Sequence, residues 1–443
     1  MGKFNLAKFN NKHFLVLAGN GMLSVTGLAT SYLLFNYLTP ANAGIYYVLL
    51  SFVSLCEAAR YGLLSTTTIK FYAGTTPERG ATVLGSVWVI ALGLTAIILL
   101  ANAGALLFLP YTHNIEVILS IKWIGITYLS TLPADIVFWR LQSDEKYGKL
   151  VWYRMVNSAS TILAFFVLIL LHKMTLHNAL LYNFLTNCLC SVVGVVFNMS
   201  GLKYLLKTTR QCISEMLNYG KYTLMTTSCS VLLGSADVLI INSVLGPAAV
   251  AVYNLSIRLM AINDLPLRSL VTTGMSEMAI LQNQNNMPQF TYIFKKYAGM
   301  LTIAFIPIAV VAVLFGNVVN MFGGVQYHGS IAANAFRLFM VIAILYPIDN
   351  FNGLALDLIG KTKINFYKVL IMLGIKIIAD FAGLAMFHNI YGIAFSLLLV
   401  TLAGIGYGYY QLRKDLTYTI PGIISLGYHE IRLLIRKNLK ASA

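Results

Sequence analysis

Apolar stretches of about twenty residues recur along this 443-residue chain, and each is long enough to carry an α-helix across a bilayer core. The sequence predicts twelve of them, at 14–38, 43–64, 82–108, 117–138, 151–171, 178–200, 221–244, 248–270, 299–322, 330–352, 366–387 and 390–411. Only 10% of the residues are charged and the mean hydropathy is +0.75. A soluble chain of this length needs a polar surface with about 25% charged residues. A membrane barrel would show short alternating strands in place of these long runs. The predicted fold is therefore an all-α polytopic membrane protein.

The chain also repeats itself at half its length. Leu38-Thr-Pro-Ala-Asn-Ala-Gly-Ile-Tyr-Tyr47 returns as Leu245-Gly-Pro-Ala-Ala-Val-Ala-Val-Tyr-Asn254. At that shift Gly27 falls on Gly234, Ala29 on Ala236 and Glu57 on Asp264. Six crossings return the chain to its starting side, so the halves form a parallel repeat, an arrangement that points to a transporter. The expected organisation is an N-terminal six-helix bundle (1–205), a cytoplasmic linker (206–220), a C-terminal six-helix bundle (221–412) and a basic amphipathic tail (413–443).

The formal charge of +16 raises the question of nucleic acid, and the placement of the charges answers it. Most of the 31 Lys and Arg residues cluster in alternate loops and the two termini, which by the positive-inside rule places both termini in the cytoplasm. Lys173 lies in an outside loop, while Lys122, Arg258, Arg337 and Lys376 lie within spans. The basic excess is thus a topology signal, and no nucleic-acid partner is expected. In the tail, Ile420, Ile423, Ile424, Gly427, Tyr428, Ile431, Leu434 and Ile435 follow helical spacing beside Arg432, Arg436 and Lys437. That pattern predicts an interfacial helix lying against anionic lipid. The segment 275–296 has a similar character.

Nothing in the sequence reads as an enzyme. The histidines and the five cysteines show no metal-ligand spacing, and no Walker sequence is present. No cofactor or metal is expected.

Charges inside spans cost roughly 2.5–3.5 kcal/mol each at the membrane centre, so each one calls for a reason. Arg258 lies near mid-membrane and reads either as a residue lining a water-filled cavity or as half of a buried ion pair. Glu57/Arg60 and Asp264/Arg268 stand at i,i+3 and i,i+4 spacings, which place acid and arginine on one helix face. Both read either as stabilising pairs near the cytoplasmic ends or as symmetric arginines at a cavity mouth. Lys376/Asp380 reads as a neutralised pair that fixes helix rotation. Arg337 is a further intramembrane cation. Asp237 is either an ion-coupling acid or the partner of a basic residue elsewhere. Asp135 and Asp349, near cytoplasmic ends, carry little information. The surplus of buried cations over buried acids favours an anionic ligand, since guanidinium forks suit phosphate and carboxylate.

The two Leu-x-Pro-Ala turns each lead into a Tyr-bearing helix. With Phe322-Gly-Gly-Val-Gln-Tyr-His-Gly-Ser-Ile-Ala-Ala-Asn-Ala-Phe-Arg-Leu338, Gly360-Lys-Thr-Lys363 and Tyr391-Gly-Ile-Ala-Phe395, they resemble the multidrug/oligosaccharidyl-lipid/polysaccharide exporter superfamily. Within it they resemble the polysaccharide flippase branch of Wzx-like O-antigen translocases. The resemblance implies a V-shaped pair of six-helix bundles working by alternating access in the bacterial cytoplasmic (inner) membrane. It implies transport of a polyprenyl-pyrophosphate-linked oligosaccharide for surface polysaccharide, with a polymerase and glycosyltransferases as partner enzymes. A cationic site would be drawn from Arg258, Arg60, Arg268, Arg337 and Lys376, with Asp237, Asp264, Glu57 or Asp380 as coupling acids. A cation-coupled multidrug exporter of the same fold and a non-transporting scaffold for glycan synthesis are the alternatives.

Overall fold

A computed structural model describes residues 12–72, 74–112 and 115–441, which form α-helices joined by short turns. The first half contains α1 (Lys12–Tyr37), α2 (Pro40–Tyr72), α3 (Pro77–Leu106), α4 (Ile115–Ser143), α5 (Tyr147–Leu170), α6 (Leu176–Val196) and α7 (Arg210–Leu245). The second contains α8 (Pro247–Met260), α9 (Asp264–Asn283), α10 (Met287–Leu314), α11 (Val318–Gly323), α12 (Ala332–Ala343) and α13 (Tyr346–Leu358). It closes with α14 (Thr362–Phe387), α15 (Tyr391–Leu412) and α16 (Ile420–Ala441).

Every expected span coincides with helix, yet not every span is one helix. Among the described residues, nine helices are long and apolar enough to cross a membrane, and α12 with α13, bent by 44°, makes a tenth. The expected first span coincides with α1, where Asn20, Ser24 and Thr26 dilute the apolar run; Ser24 and Thr26 return their hydroxyls to the carbonyls of Asn20 and Met22. The expected continuous helix at 248–270 is interrupted. Here α8 stops at Met260, a 3-10 turn covers Ala261–Asn263, and α9 begins at Asp264.

The expected span 299–322 is also broken, α10 ending at Leu314 and α11 starting at Val318, while proline explains the breaks after α8 and α12. Pro266 cannot donate to the carbonyl four residues back and its ring crowds that group, so it is tolerated in the first turn of a new helix and not in the middle of an old one. Pro347 stands in the same relation to α13, at its second residue. Pro133 and Pro307, in contrast, lie inside α4 and α10 without ending them.

The chain divides into two compact units, with the boundary at Leu239/Ile240 inside α7. The segment expected to be a linker is helical from Arg210 onward, because it packs into the first unit. Gly220 lies against the Leu63 carbonyl, and the Thr223 hydroxyl donates to the Gly62 carbonyl at 2.7 Å. Arg79 on α3 bonds Glu215 on α7 at 2.6 Å. Leu64, Val83, Val87, Leu132, Ile136, Trp139, Cys212 and Met216 form the core beneath these contacts. After α6 the chain is stitched back by Arg140, which donates to the carbonyls of Asn198 and Met199, and by the Trp88 indole, which donates to Ser200.

The core of the second unit is built around α10, where Phe290, Phe294, Tyr297 and Leu301 meet Phe351, Ile405, Tyr418 and Ile423. Within it α14 and α15 cross backbone to backbone at Gly383 and Gly392, where no side chain fits. A side chain at Gly383 should therefore overpack this crossing by about 1–3 kcal/mol. Gly383→Leu is expected to lower the melting temperature of the purified protein in detergent. Gly374→Ala on the same helix, where a Cβ meets open space, should leave it within about 0.5 kcal/mol of wild type. Equal melting of both variants would contradict this packing.

The Arg79–Glu215 clamp adds a pH dependence. Hydrogen bonds from Arg79 and then Gln211 hold the Glu215 carboxyl below its ordinary value of 4.5. A depressed acid contributes its stability above the unfolded value and loses it as pH falls through the folded one. Acidification should thus loosen the start of α7, and Glu215→Gln should remove that part of the acid sensitivity in a pH-resolved melt.

Candidate functional site

Two constellations use the charges that the sequence places inside the membrane, one in each unit. In the first, α2 and α4 meet along a polar seam. α2 has 33 residues, about 50 Å of helix, and overshoots a hydrocarbon core of about 30 Å. Arg60, twenty residues after Pro40, therefore lies near the far edge of that core, and it is fully buried in protein (0% exposed).

Its guanidinium is held from several directions. One amino group donates to the backbone carbonyl of Tyr128 at 2.8 Å. The other donates to Thr131 Oγ1 at 2.6 Å and pairs with Asp135 at 2.6 Å. The plane lies over the Tyr128 ring, 4.2 Å from its centroid. Thr131 in turn donates to Glu57 at 3.3 Å. Pro133 sits between these α4 residues and disturbs the helix's own ladder, and side chains crowd onto the carbonyls nearby. Ser191 of α6 donates to the Ser130 carbonyl there.

This corrects the expected local pair: the ion partner of Arg60 is Asp135 on α4, and Glu57 is reached only through Thr131. The i,i+3 spacing allowed contact, but the α4 carboxylate offered a shorter approach. Thr131 and Asp135 stand four residues apart on one helix face, a spacing that could have flagged α4 as the partner surface. Sequence reasoning also passed over Arg154. It is nearly buried on α5, donates to Asn20 of α1 at 2.9 Å and lies over the Phe138 ring. Asp237 is buried on α7.

In the second unit, the two interrupted spans meet. Asn263, in the turn between α8 and α9, is buried and points its amide at the Met340 sulfur at 3.3 Å, one turn before the end of α12. Ser256 of α8 donates to the Ala332 carbonyl that opens α12, and Tyr253 packs edge-on against Phe339. With 14 residues, α8 spans about 21 Å, too short to cross the core alone. Its break therefore falls at membrane depth. Arg258 is in its last turn and half-buried, where a cation also complements the helix dipole. Asp264 opens α9 and is paired with Arg268 at 3.6 Å; the arginine side chain is 74% exposed. That expected i,i+4 pair forms.

Other intramembrane charges have partners within the protein. Arg337 donates to the Val313 carbonyl at the end of α10 and to Asn334 and Asn317. Lys376 and Asp380 are both buried on α14, 3.9 Å apart. Lys368 on the same helix, unremarked in sequence beyond its topology, binds both the carboxylate and the carbonyl of Asp349. Among the described residues no His, Cys, Asp or Glu cluster could hold a metal ion.

Long apolar helices, spans broken at membrane depth and charges neutralised inside the bundle are the marks of a multi-pass membrane transport protein. The family model for polysaccharide biosynthesis proteins matches residues 34–332, and the chain belongs to that family. A search of curated proteins returned no match.

Among solved structures the chain is similar to the lipid II flippase MurJ in an inward closed conformation, with a TM-score of 0.74 at 15% identity, covering 96% of this chain and 92% of that one. It is also similar to an inward-facing multidrug resistance MATE family transporter of the MOP superfamily, with a TM-score of 0.70 at 14% identity, over 88% and 94% of the two chains. A third is a MOP superfamily transporter from Pyrococcus furiosus, with a TM-score of 0.65 at 16% identity, over 92% and 95%. The polysaccharide family expected from the duplicated turns and the second-half motifs is the one the family model finds, and the solved structures share the fold.

Removing one partner of a fully buried ion pair costs about 3–5 kcal/mol, whereas replacing both with apolar groups is often neutral; with the Asp135 side chain 34% exposed, the loss here falls toward or below the lower end. Asp135→Asn and Arg60→Met should each lower the melting temperature. The double variant Arg60→Met/Asp135→Leu should recover part of the loss. Additive losses in that thermal cycle would show that the two groups do not act as a pair.

Proposed function

We propose that this protein is a flippase that moves a polyprenyl-pyrophosphate-linked oligosaccharide across the bacterial cytoplasmic membrane by alternating access, for surface polysaccharide. Both termini lie in the cytoplasm in this reading, and a polymerase and glycosyltransferases act on the same glycan. The observation that carries it is Arg258, a guanidinium in the last turn of a helix that stops at membrane depth. Broken spans of this kind let a transporter offer polar groups to a charged substrate without exposing backbone to lipid.

A pyrophosphate is the part of such a substrate that most needs a cation, and a guanidinium binds it bidentately. Arg258 takes that role, with Arg268 beyond the break as the second cation. Arg60 in the first unit, and Arg337 and Lys376 in the second, are tied to carboxylates, carbonyls and amides and hold the helices of their own unit in place. Asp237 is the acid we assign to ion coupling. Membership of a polysaccharide biosynthesis family supports the glycan, and likeness to a lipid II flippase supports a lipid carrier.

Arg258→Ala should abolish surface polysaccharide in a strain that depends on this gene, while the protein remains in the membrane at wild-type level. Arg258→Lys should retain part of the export, because charge persists while the fork is lost. Full polysaccharide in the alanine variant would overturn the assignment. Loss of dye export in place of glycan would turn it toward a multidrug exporter.

A further inference from the structure

The C-terminal helix α16 was expected to lie on lipid, but it has a second attachment. It crosses α10 with Gly427 against Gly299, backbone to backbone, where a Cβ on either residue would overlap the other helix. Ile423 is buried in the same contact. One turn further, Glu430 accepts the Tyr292 hydroxyl at 2.6 Å and stands 3.8 Å from the Lys296 ammonium. Tyr418, just before the helix, is held edge-on by Phe294 and Tyr409. Residues 423, 427 and 430 thus form a docked face.

The faces turned away from α10 divide the remaining residues by chemistry. Ile424 and Tyr428, 42% and 61% exposed, form an apolar edge. Ser425, His429, Arg432 and Arg436, at i, i+4, i+7 and i+11, form an exposed polar edge beside it. The sequence of α16 contains one acid, Glu430, against Arg432, Arg436, Lys437 and Lys440. That acid is spent on α10, so the outward charge is wholly positive. The crossing at Gly299 also lies where the charged Lys295-Lys296 of α10 gives way to its apolar run toward Leu314, the level of a membrane interface.

We propose that the outward side of α16 is a binding surface for anionic phospholipid: Arg432 and Arg436 take the headgroup phosphates while Ile424 and Tyr428 enter the adjoining acyl boundary. Charge of one sign beside an apolar edge is what a headgroup layer complements. A helix locked to α10 on one side and to lipid on the other makes the start of α10 responsive to the anionic content of the bilayer. The inference is independent of the transported substrate, and its test uses none.

The test is backbone hydrogen exchange of residues 420–436 in the full-length protein, reconstituted either in phosphatidylcholine alone or in phosphatidylcholine with phosphatidylglycerol. Exchange should slow when phosphatidylglycerol is present and recover in high salt. Each arginine at an anionic surface contributes about fivefold, so Arg432→Gln/Arg436→Gln should remove about 25-fold of that slowing. These side chains are exposed, so the double variant should keep its fold, read from unchanged exchange in α10 in phosphatidylcholine alone. Glu430→Gln should loosen docking in both lipid mixtures while keeping the response to phosphatidylglycerol. Equal exchange in the two lipid mixtures, or a response unchanged in the double arginine variant, would overturn the proposal. So would protection in neutral lipid that disappears on dilution, which would mark a second copy of the chain as the occupant.

Discussion

A charge inside an apolar bundle must be answered by another group, and most of this architecture follows from how each charge is answered. Arg60 shows the full form of the requirement, with a carboxylate, a hydroxyl, a carbonyl and an aromatic face all converging on one guanidinium. Each partner comes from α4, so the buried charge fixes the rotation and height of α2 against α4. Arg154 fixes α5 against α1 in the same way, and Lys368 fixes α14 against α13. Desolvation makes such groups poor sources of net stability but severe penalties when mispaired, and they select one helix arrangement over its slipped alternatives.

Backbone chemistry supplies the second constraint. Pro266 and Pro347 end two spans at membrane depth, and Asn263 and Met340 bring those ends together. Glycine pairs act in the opposite sense, drawing helices into contact at Gly383/Gly392 and Gly299/Gly427. The second unit therefore has close crossings around interrupted helices, with Arg258 in the last turn before one of the breaks.

Much of this was legible in the sequence. Apolar run length placed a helix at every expected span, because in lipid the backbone can satisfy itself locally only as helix. The duplicated turns and the second-half motifs pointed to the polysaccharide family that the family model finds. What the sequence hid was contact between helices distant in the chain. Glu57 and Arg60 advertise a local pair, yet the shorter bond runs to Asp135, which looked unremarkable near the end of its span. Arg154 resembled a topology charge until Asn20 and Phe138 were seen beside it. The tail's apolar periodicity was correct, but only the fold shows that one of its faces is taken by α10. The span at 248–270 is broken for a reason readable in the sequence, since Pro266 within the run fits only the first turn of a new helix.

The proposed function requires that a lipid-linked pyrophosphate glycan cross the membrane through this protein by way of Arg258. Translocation in proteoliposomes tests it most directly, with a polyprenyl-pyrophosphate oligosaccharide in one leaflet and an impermeant glycosidase reading its appearance in the other. Movement is expected with the wild-type protein and none above the protein-free rate with Arg258→Ala reconstituted in equal amount. Equal movement with both proteins, or no movement of the glycan lipid with a wild-type preparation that expels cationic dyes, would contradict it.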